Sequence, residues 1–161
     1  MARDVKEIKK DRLLYTKNKP SANLTYLGIL FGVLYFVNIY QSDVNNYYYT
    51  ITIGLSVVYN LIFLLVAFLS SEGLKNYKIS YGYAIIVVGL LQIARIFGIP
   101  RMAHTTTTIL DGEEVLVMGD GQYNYCVVML LLSAAACIVA GIIGIYKTTT
   151  LQKYMKEKGL E

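Results

Sequence analysis

Four long apolar stretches, separated by short polar segments, dominate the pattern of this chain. A hydrocarbon layer about 30 Å thick is crossed by roughly 20 helical residues, and each stretch approaches or exceeds that length. No acidic residue interrupts any of them, and Arg95 is the one charge well inside a stretch. The pattern predicts an all-α membrane protein with four transmembrane helices, over residues 24–40, 48–70, 81–99 and 125–146.

The basic residues are unevenly distributed between the connecting segments. Lysine and arginine concentrate before the first stretch, in segment 71–78 and after the fourth stretch, while segment 41–46 has neither. Segment 100–122 has only Arg101, against Asp111, Glu113, Glu114 and Asp120. Because basic connections stay on the cytoplasmic side of a membrane, we expect both termini to be cytoplasmic. The abundance of Ile, Lys, Asn and Tyr is typical of AT-rich bacterial genomes and predicts a bacterial plasma membrane.

The composition agrees with a lipid environment. Hydrophobic residues make up 55% of the chain and charged residues 16%, whereas about a quarter of a typical soluble domain is charged. Most of the 15 tyrosines cluster at the ends of the predicted spans, as in an aromatic belt at the membrane interface. Tyr35 and Tyr59 lie deeper, so their hydroxyl groups need polar partners.

The same pattern divides the chain into three parts. Residues 1–21 form a basic cytoplasmic segment, residues 22–146 the four-helix transmembrane domain, and residues 147–161 a basic cytoplasmic tail. Residues 2–17 suit a short helix, which either lies on anionic lipid of the inner leaflet or caps the domain in solvent. We expect Pro20 and Ser21 to break the chain before the first span.

The connection between the third and fourth spans predicts a short extracytoplasmic β-hairpin. Two β-prone runs, 105–110 and 113–118, flank Asp111-Gly112, and Asp-Gly between such runs is a strong hairpin signal. A lone two-stranded hairpin is marginal in water, so it should pack on the outer ends of the spans or on another protein. Asp111, Gly112, Glu113 and Glu114 therefore form a predicted partner-contact hairpin.

Small residues predict how the helices associate, because close backbone approach replaces the hydrophobic effect inside a membrane. The first span contains a GxxxG pattern, and the fourth carries two adjacent strips of small side chains. One strip should pack on a helix of this chain, and the other on a second copy or a different protein. The predicted packing residues are Gly28, Gly32, Ser133, Ala136, Cys137, Ala140, Gly141 and Gly144.

Five polar residues are expected to face the interior of the bundle: Asn38, Ser56, Asn60, Gln92 and Arg95. Interhelical hydrogen bonding is one interpretation. The other is a polar path, for which Arg95, Gln92, Asn60 and Asn38 are the candidate site.

Arg95 itself admits two interpretations. It lies about 7.5 Å below the outer interface if the span is helical. From there it can snorkel to Asp43 and the acids of segment 100–122, with Gln92 helping to satisfy it. Alternatively it binds an anionic ligand or a carboxylate of a partner protein.

Missing residue patterns argue against several classes of function. The chain has one histidine, His104, so haem held by paired histidines is excluded. Its two cysteines, Cys126 and Cys137, form no C-x-x-C, and the outer acids lack the spacing of a calcium loop. No hydrolase, zinc-protease or phosphate-loop motif occurs. We predict no catalytic residues, no cofactor, no metal and no nucleic-acid partner.

These observations favour a non-catalytic accessory or scaffold subunit of a larger membrane complex. Its expected partners are membrane lipid and another membrane protein or further copies of itself. The alternative is a homo-oligomeric transporter or channel for a small solute, with Arg95 in its path. A membrane enzyme acting on lipid at the outer face is the weakest of the three hypotheses.

Overall fold

The computed structural model describes residues 5–39, 47–110 and 112–159. Four of its helices are long and apolar enough to cross a membrane. The chain therefore has the architecture of an integral membrane protein, as the hydrophobic pattern predicts. In chain order the elements are α1 Val5–Tyr15, α2 Lys19–Ile39, α3 Tyr47–Lys75, α4 Ile79–Ile96, α5 Ile99–Thr105, β1 Thr107–Leu110, β2 Glu113–Leu116 and α6 Asp120–Lys158.

The four long helices alternate in direction and form a bundle. Helix α6 packs mainly against α2 and α4, and α3 packs against the same two helices. The backbone N–H of Asn18 donates to Lys75 O (3.1 Å), which joins the start of α2 to the end of α3. At the opposite end, Gln122 Nε2 donates to Asn38 O (2.9 Å). We call the end with Asn18 and Lys75 the basic end, and the end with the two strands the hairpin end.

Helix α6 is longer than predicted. Its 39 residues correspond to about 58 Å, well beyond a hydrocarbon layer of about 30 Å. The predicted C-terminal tail is thus largely a helical continuation, which we call the α6 extension (residues 147–158).

Helix α1 runs antiparallel along the α6 extension. Tyr154 donates a hydrogen bond to Asp11, and Lys158 lies 3.3 Å from Glu7. The predicted N-terminal helix is therefore confirmed, and it packs on the α6 extension.

The predicted break at Pro20 and Ser21 is wrong. Both residues lie in the first turn of α2, which begins at Lys19. Proline is tolerated there because the first N–H groups of a helix have no intrahelical acceptor. The chain leaves helical structure earlier, at residues 16–18, where Asn18 Nδ2 donates to Ser21 Oγ at 2.9 Å.

The predicted connection after the second span is also shorter than expected. Helix α3 continues to Lys75, so the turn before α4 comprises only residues 76–78. The first outer connection, with Asp43, lies outside the described residues.

The predicted hairpin is confirmed between α5 and α6. Strands β1 and β2 pair antiparallel, with Thr107 opposite Leu116 and Ile109 opposite Glu114. Gly112 has a φ of 88°, a conformation that glycine adopts without steric cost. Asp111, the other residue of the predicted turn, lies outside the described residues.

Two apolar clusters lie inside the bundle. The cluster near the hairpin end includes Tyr35, Ile96 and Leu130, and it extends to Val117 and Met118 just after β2. The cluster nearer the basic end includes Phe63, Leu74, Ile85 and Cys137. The first cluster anchors the base of the hairpin to the bundle.

Candidate functional site

Arg95 lies in the last turn of α4 and points into the bundle. Its Nη1 donates to Asn60 Oδ1 and its Nη2 donates to Ser56 Oγ, each at 2.7 Å. The two acceptors are four residues apart on α3 and therefore share one face of that helix. Asn60 Nδ2 also donates to Ser56 O (2.9 Å), which directs the amide oxygen toward the arginine.

Two tyrosine rings contact the same guanidinium group. Arg95 Cζ lies 4.5 Å from the ring centroid of Tyr35 and 4.6 Å from that of Tyr59. Such distances are typical of cation–π contacts, which strengthen when the cation is removed from water. Tyr35 belongs to α2 and is fully buried at 0% exposure. Arg95 thus connects α4 to both α2 and α3.

The partners expected for Arg95 from sequence are not the ones that the structure shows. Among the described residues, no carboxylate lies within ion-pair distance of Arg95. Asp120 instead lies near His104, and Glu113 and Glu114 are exposed on the hairpin. The expected interaction with Asp43 falls outside the described residues. Arg95 turns inward because neutral oxygens and two aromatic rings are available within the length of its side chain.

Gln92 does not assist Arg95, contrary to the expectation. Its Nε2 donates to Ser133 Oγ at 3.2 Å, and Ser133 Oγ donates to Gly28 O at 2.7 Å. This buried chain joins α4, α6 and α2. Gln92 Oε1 has no hydrogen-bond partner among the described residues.

Asn38 lies apart from the hydrogen-bonded groups of Arg95 and Gln92, at the hairpin end. Its side-chain oxygen accepts a hydrogen bond from Cys126 Sγ (3.3 Å), and its backbone oxygen accepts one from Gln122 Nε2. Of the four residues proposed for a polar path, Arg95 and Asn60 share a hydrogen bond, whereas Gln92 and Asn38 are hydrogen-bonded elsewhere. Ser56, Tyr35 and Tyr59 complete the surroundings of Arg95. The two tyrosines could have been assigned to this site from the sequence, because both lie deep within predicted spans and need polar partners.

Both strips of small residues on α6 are covered within this chain, whereas one was expected to face a second copy or a different protein. A Cβ added to Gly28 of α2 would lie 2.7 Å from Cys137 Sγ and 3.2 Å from Ser133 O. A Cβ added to Gly141 would lie 2.7 Å from Gly82 O of α4. Ala136, Ala140 and Gly144 are also buried, and Gly144 faces Leu74 of α3 and Ser21 of α2. These strips therefore hold the bundle together and are not available to a partner.

Gly32 belongs to a different contact. A Cβ at this position would lie 2.6 Å from Phe63 Cε1 of α3 and 3.4 Å from Gln92 Nε2. The GxxxG pair of α2 thus faces two helices, with Gly28 against α6 and Gly32 against α3.

An apolar groove of about 350 Å³ opens between α3 and α4. Tyr59 and Leu91 lie at one end, and Val66 and Ala84 lie at the other. The Tyr59 ring separates this groove from Arg95, because it contacts the guanidinium and also lines the groove.

His104 fastens α5 to the start of α6. Its ring stacks on Tyr123 with 4.4 Å between centroids, and its Nε2 lies 3.7 Å from Asp120 Oδ1. His104 Nδ1 also lies 3.3 Å from Met118 O. In the described part of the chain, no three His, Cys, Asp or Glu side chains are grouped so that they could hold a metal ion.

Comparison of the chain with protein-family models, curated proteins and solved structures finds no match in any of the three.

Proposed function

We propose that this chain is a non-catalytic accessory or scaffold subunit of a larger membrane complex, and that it contacts its partner through the hairpin. The observation that carries this proposal is the exposure of the hairpin. Ile109 is 74% exposed and Leu116 is 47% exposed. Large apolar side chains on a protruding ribbon are unfavourable in water unless another surface covers them.

The base of the hairpin is attached to the bundle. Val117 N donates to Thr106 O at 3.0 Å, and Val117 and Met118 are buried. The sheet has two strands within the described residues, so the outer edges of β1 and β2 pair with no other described strand. Isolated two-stranded ribbons are marginally stable, and open strand edges favour pairing with another chain.

The charge of the hairpin indicates the chemistry of its partner. Glu113 and Glu114 are exposed beside the apolar side chains. A surface that combines an apolar patch with lysine or arginine would complement both features. We therefore propose that an outer domain or loop of another membrane protein covers the exposed surface of the hairpin.

The proposed orientation has both termini in the cytoplasm of a bacterial cell. The uneven distribution of lysine and arginine supports it, because basic segments flank the ends of the helices that meet at the basic end. The hairpin would then face the outside of the plasma membrane, where the partner domain would also lie.

A non-catalytic role is supported by how the interior polar groups are used. Arg95 donates hydrogen bonds to Asn60 and Ser56, so these three side chains link α4 to α3. Gln92 and Ser133 likewise connect helices. Interhelical hydrogen bonds of this kind stabilise membrane proteins.

One observation favours the alternative, a homo-oligomeric transporter or channel. Arg95 has only neutral partners among the described residues, so its positive charge would attract an anion that reached it. This hypothesis requires a symmetric oligomer and an anion flux that depends on Arg95.

Site-specific photo-crosslinking in native membranes tests the proposal. We would replace Ile109 with a photoreactive amino acid, and make the same replacement at Tyr146, which is 72% exposed on α6. We expect one discrete foreign protein linked through position 109 and none through position 146. A product between two copies of this chain would favour the alternative. No protein product at position 109, or the same product at both positions, would contradict the proposal.

A further inference from the structure

A cavity of about 340 Å³ lies at the basic end, where α1 meets the turn after α3 and the α6 extension. Small-molecule sites begin at about 300 Å³, so the cavity is large enough for a ligand group. Its wall includes Leu14, Leu151 and Met155, and its polar rim includes Lys17, Lys75 and Tyr77. The cavity thus presents cationic and apolar surfaces to the same occupant.

The two lysines come from different elements. Lys17 is exposed in the connection between α1 and α2, and the hydrogen bond from Asn18 N to Lys75 O brings this connection to the end of α3. Lys75 Nζ lies 3.0 Å from Glu72 Oε1. An ammonium group has three N–H donors, so Lys75 can bind a second acceptor, while Lys17 supplies the net positive charge.

Tyr77 has a strained backbone at the rim of this cavity. Its φ is 57°, the only positive φ of a non-glycine residue in the described ranges. Tyr77 N donates to Leu74 O (3.2 Å) and Lys78 N donates to Gly73 O (3.0 Å). This is the hydrogen-bond pattern of a Schellman motif, in which glycine normally occupies the position of Tyr77. A tyrosine held there against its steric preference indicates a use for its side chain.

The position of the cavity identifies the class of ligand. The candidate membrane spans begin at Lys19 in α2 and end at Lys75 in α3, which would place the cavity at the level of the lipid headgroups. An anionic phosphate next to an acyl chain is the chemistry of a phospholipid at that level. We propose that this cavity binds the phosphate of an anionic phospholipid. Lys17 and Tyr77 contact the phosphate oxygens, and the first methylenes of an acyl chain lie along Leu14 and Met155.

Native mass spectrometry of the protein in mild detergent tests this proposal through Lys17. Phosphatidylglycerol or phosphatidylcholine is titrated, and the bound fraction is measured. We expect phosphatidylglycerol to bind more tightly. Because one lysine near a lipid surface contributes about 1 kcal/mol, Lys17→Gln should weaken this binding about fivefold. Lys153→Gln is the matched control, because Lys153 is exposed on the α6 extension and does not line the cavity.

Tyr77→Gly separates binding from folding. Glycine removes the strain, so the variant should melt at the same temperature as the unmodified protein or higher. It also removes the hydroxyl donor, so phosphatidylglycerol should bind about fivefold more weakly, the effect of one lost hydrogen bond. A reduced affinity in a protein of undiminished stability cannot come from misfolding.

Several results would overturn the proposal. Equal binding of the two lipids, or equal losses in Lys17→Gln and Lys153→Gln, would mean that only general surface charge acts. If Tyr77→Gly bound phosphatidylglycerol as tightly as the unmodified protein, the cavity would not be the binding site. Displacement of phosphatidylglycerol by millimolar inorganic phosphate would show that the site takes a soluble anion rather than a lipid.

Discussion

Helices α3 and α6 have similar apolar stretches but occupy different places in the bundle. Helix α6 buries a continuous series of small side chains, including Ser133, Cys137 and Gly141, against α2 and α4. Helix α3 directs large side chains outward, with Leu55 66% exposed and Leu61 62% exposed. In a membrane, lipid solvates leucine as well as a protein interior does. The size of the side chains, rather than their hydrophobicity, therefore decides which helix is surrounded by other helices.

The same comparison explains what holds α3 in place. On its inward face, Ser56 and Asn60 accept hydrogen bonds from Arg95. The hydroxyl of Ser71, on the same helix, donates to Ala22 O at 3.4 Å. Helix α6 is held mainly by close backbone approach, whereas α3 is held by polar groups and by Phe63 against Gly32. The predictions below test these two modes of attachment.

The largest effect is expected from filling the contact between α6 and α4. In Gly141→Leu the new Cβ would lie 2.5 Å from Ile86 Cγ1 and 2.7 Å from Gly82 O. A backbone oxygen cannot move without separating the helices, so we expect a loss of about 3 kcal/mol, the upper part of the usual range for overpacking. Gly54→Leu on α3 is the control, because no atom of the described residues lies within 4 Å of its Cβ position. The measurement is the monodisperse fraction after heating in mild detergent, and equal losses in both variants would contradict the comparison.

A smaller effect is expected from the polar attachment of α3. A double-mutant cycle between Arg95→Ala and Asn60→Ala should give a coupling of about 1–3 kcal/mol, since the residues are in direct contact. Arg95→Ala combined with Leu65→Ala, on the outward face of α3, should be additive. Thermal unfolding of the three single and two double variants measures both quantities. If the effects of Arg95→Ala and Asn60→Ala on stability were additive, Arg95 would not hold α3 in place. If Arg95→Ala folded but lost its partner protein, Arg95 would have a binding role.

The backbone effect in the hairpin should be smaller again and local. Gly112 and Gly119 both have open space around the Cβ position, but their φ values are 88° and −70°. Gly112→Ala should destabilise the hairpin by about 1 kcal/mol, because only its φ is unfavourable for an L-residue. Gly119→Ala should have little effect. Limited proteolysis at the hairpin reports the difference, and a fall in the melting temperature of the bundle would contradict a local effect.

The smallest effect is expected in the α6 extension, which packs against α1. Tyr154→Phe removes the hydrogen bond to Asp11 and should loosen α1 by about 1 kcal/mol. Glu157→Gln breaks a 4.0 Å exposed ion pair with Lys10 and should cost less than about 0.5 kcal/mol. Hydrogen exchange of the α1 amides measures both. A larger effect of Glu157→Gln would show that charge, rather than the buried tyrosine, holds the two helices together.

Local features were predicted best, since they depend on residues close in the chain. The hairpin follows from Asp-Gly between two β-prone runs, and α1 follows from the spacing of residues 2–17. Helix ends were predicted less well. Pro20 is compatible with the first turn of α2, and residues 71–75 remain helical although Ser71, Glu72 and Lys75 are polar.

Contacts between distant residues could not be predicted in the same way. The sequence identified Arg95 as a residue that needs partners, but outer acids and inner oxygens were both within reach of a long side chain. The choice depends on the rotation of α3 and α2 about their axes, which sets where Asn60 and Tyr35 point.

The amino-acid sequence by itself determined that four apolar segments are long enough to cross a lipid layer and that a two-stranded hairpin lies between the last two. Hydrophobic length and turn chemistry are local properties, so no other part of the chain was needed to determine them. Only the tertiary structure decided that both small-residue strips of α6 are occupied within the chain, that Arg95 contacts two tyrosine rings, and that Ile109 and Leu116 of the hairpin are exposed. Each of these depends on which helix faces meet, and that is settled by packing all the helices together.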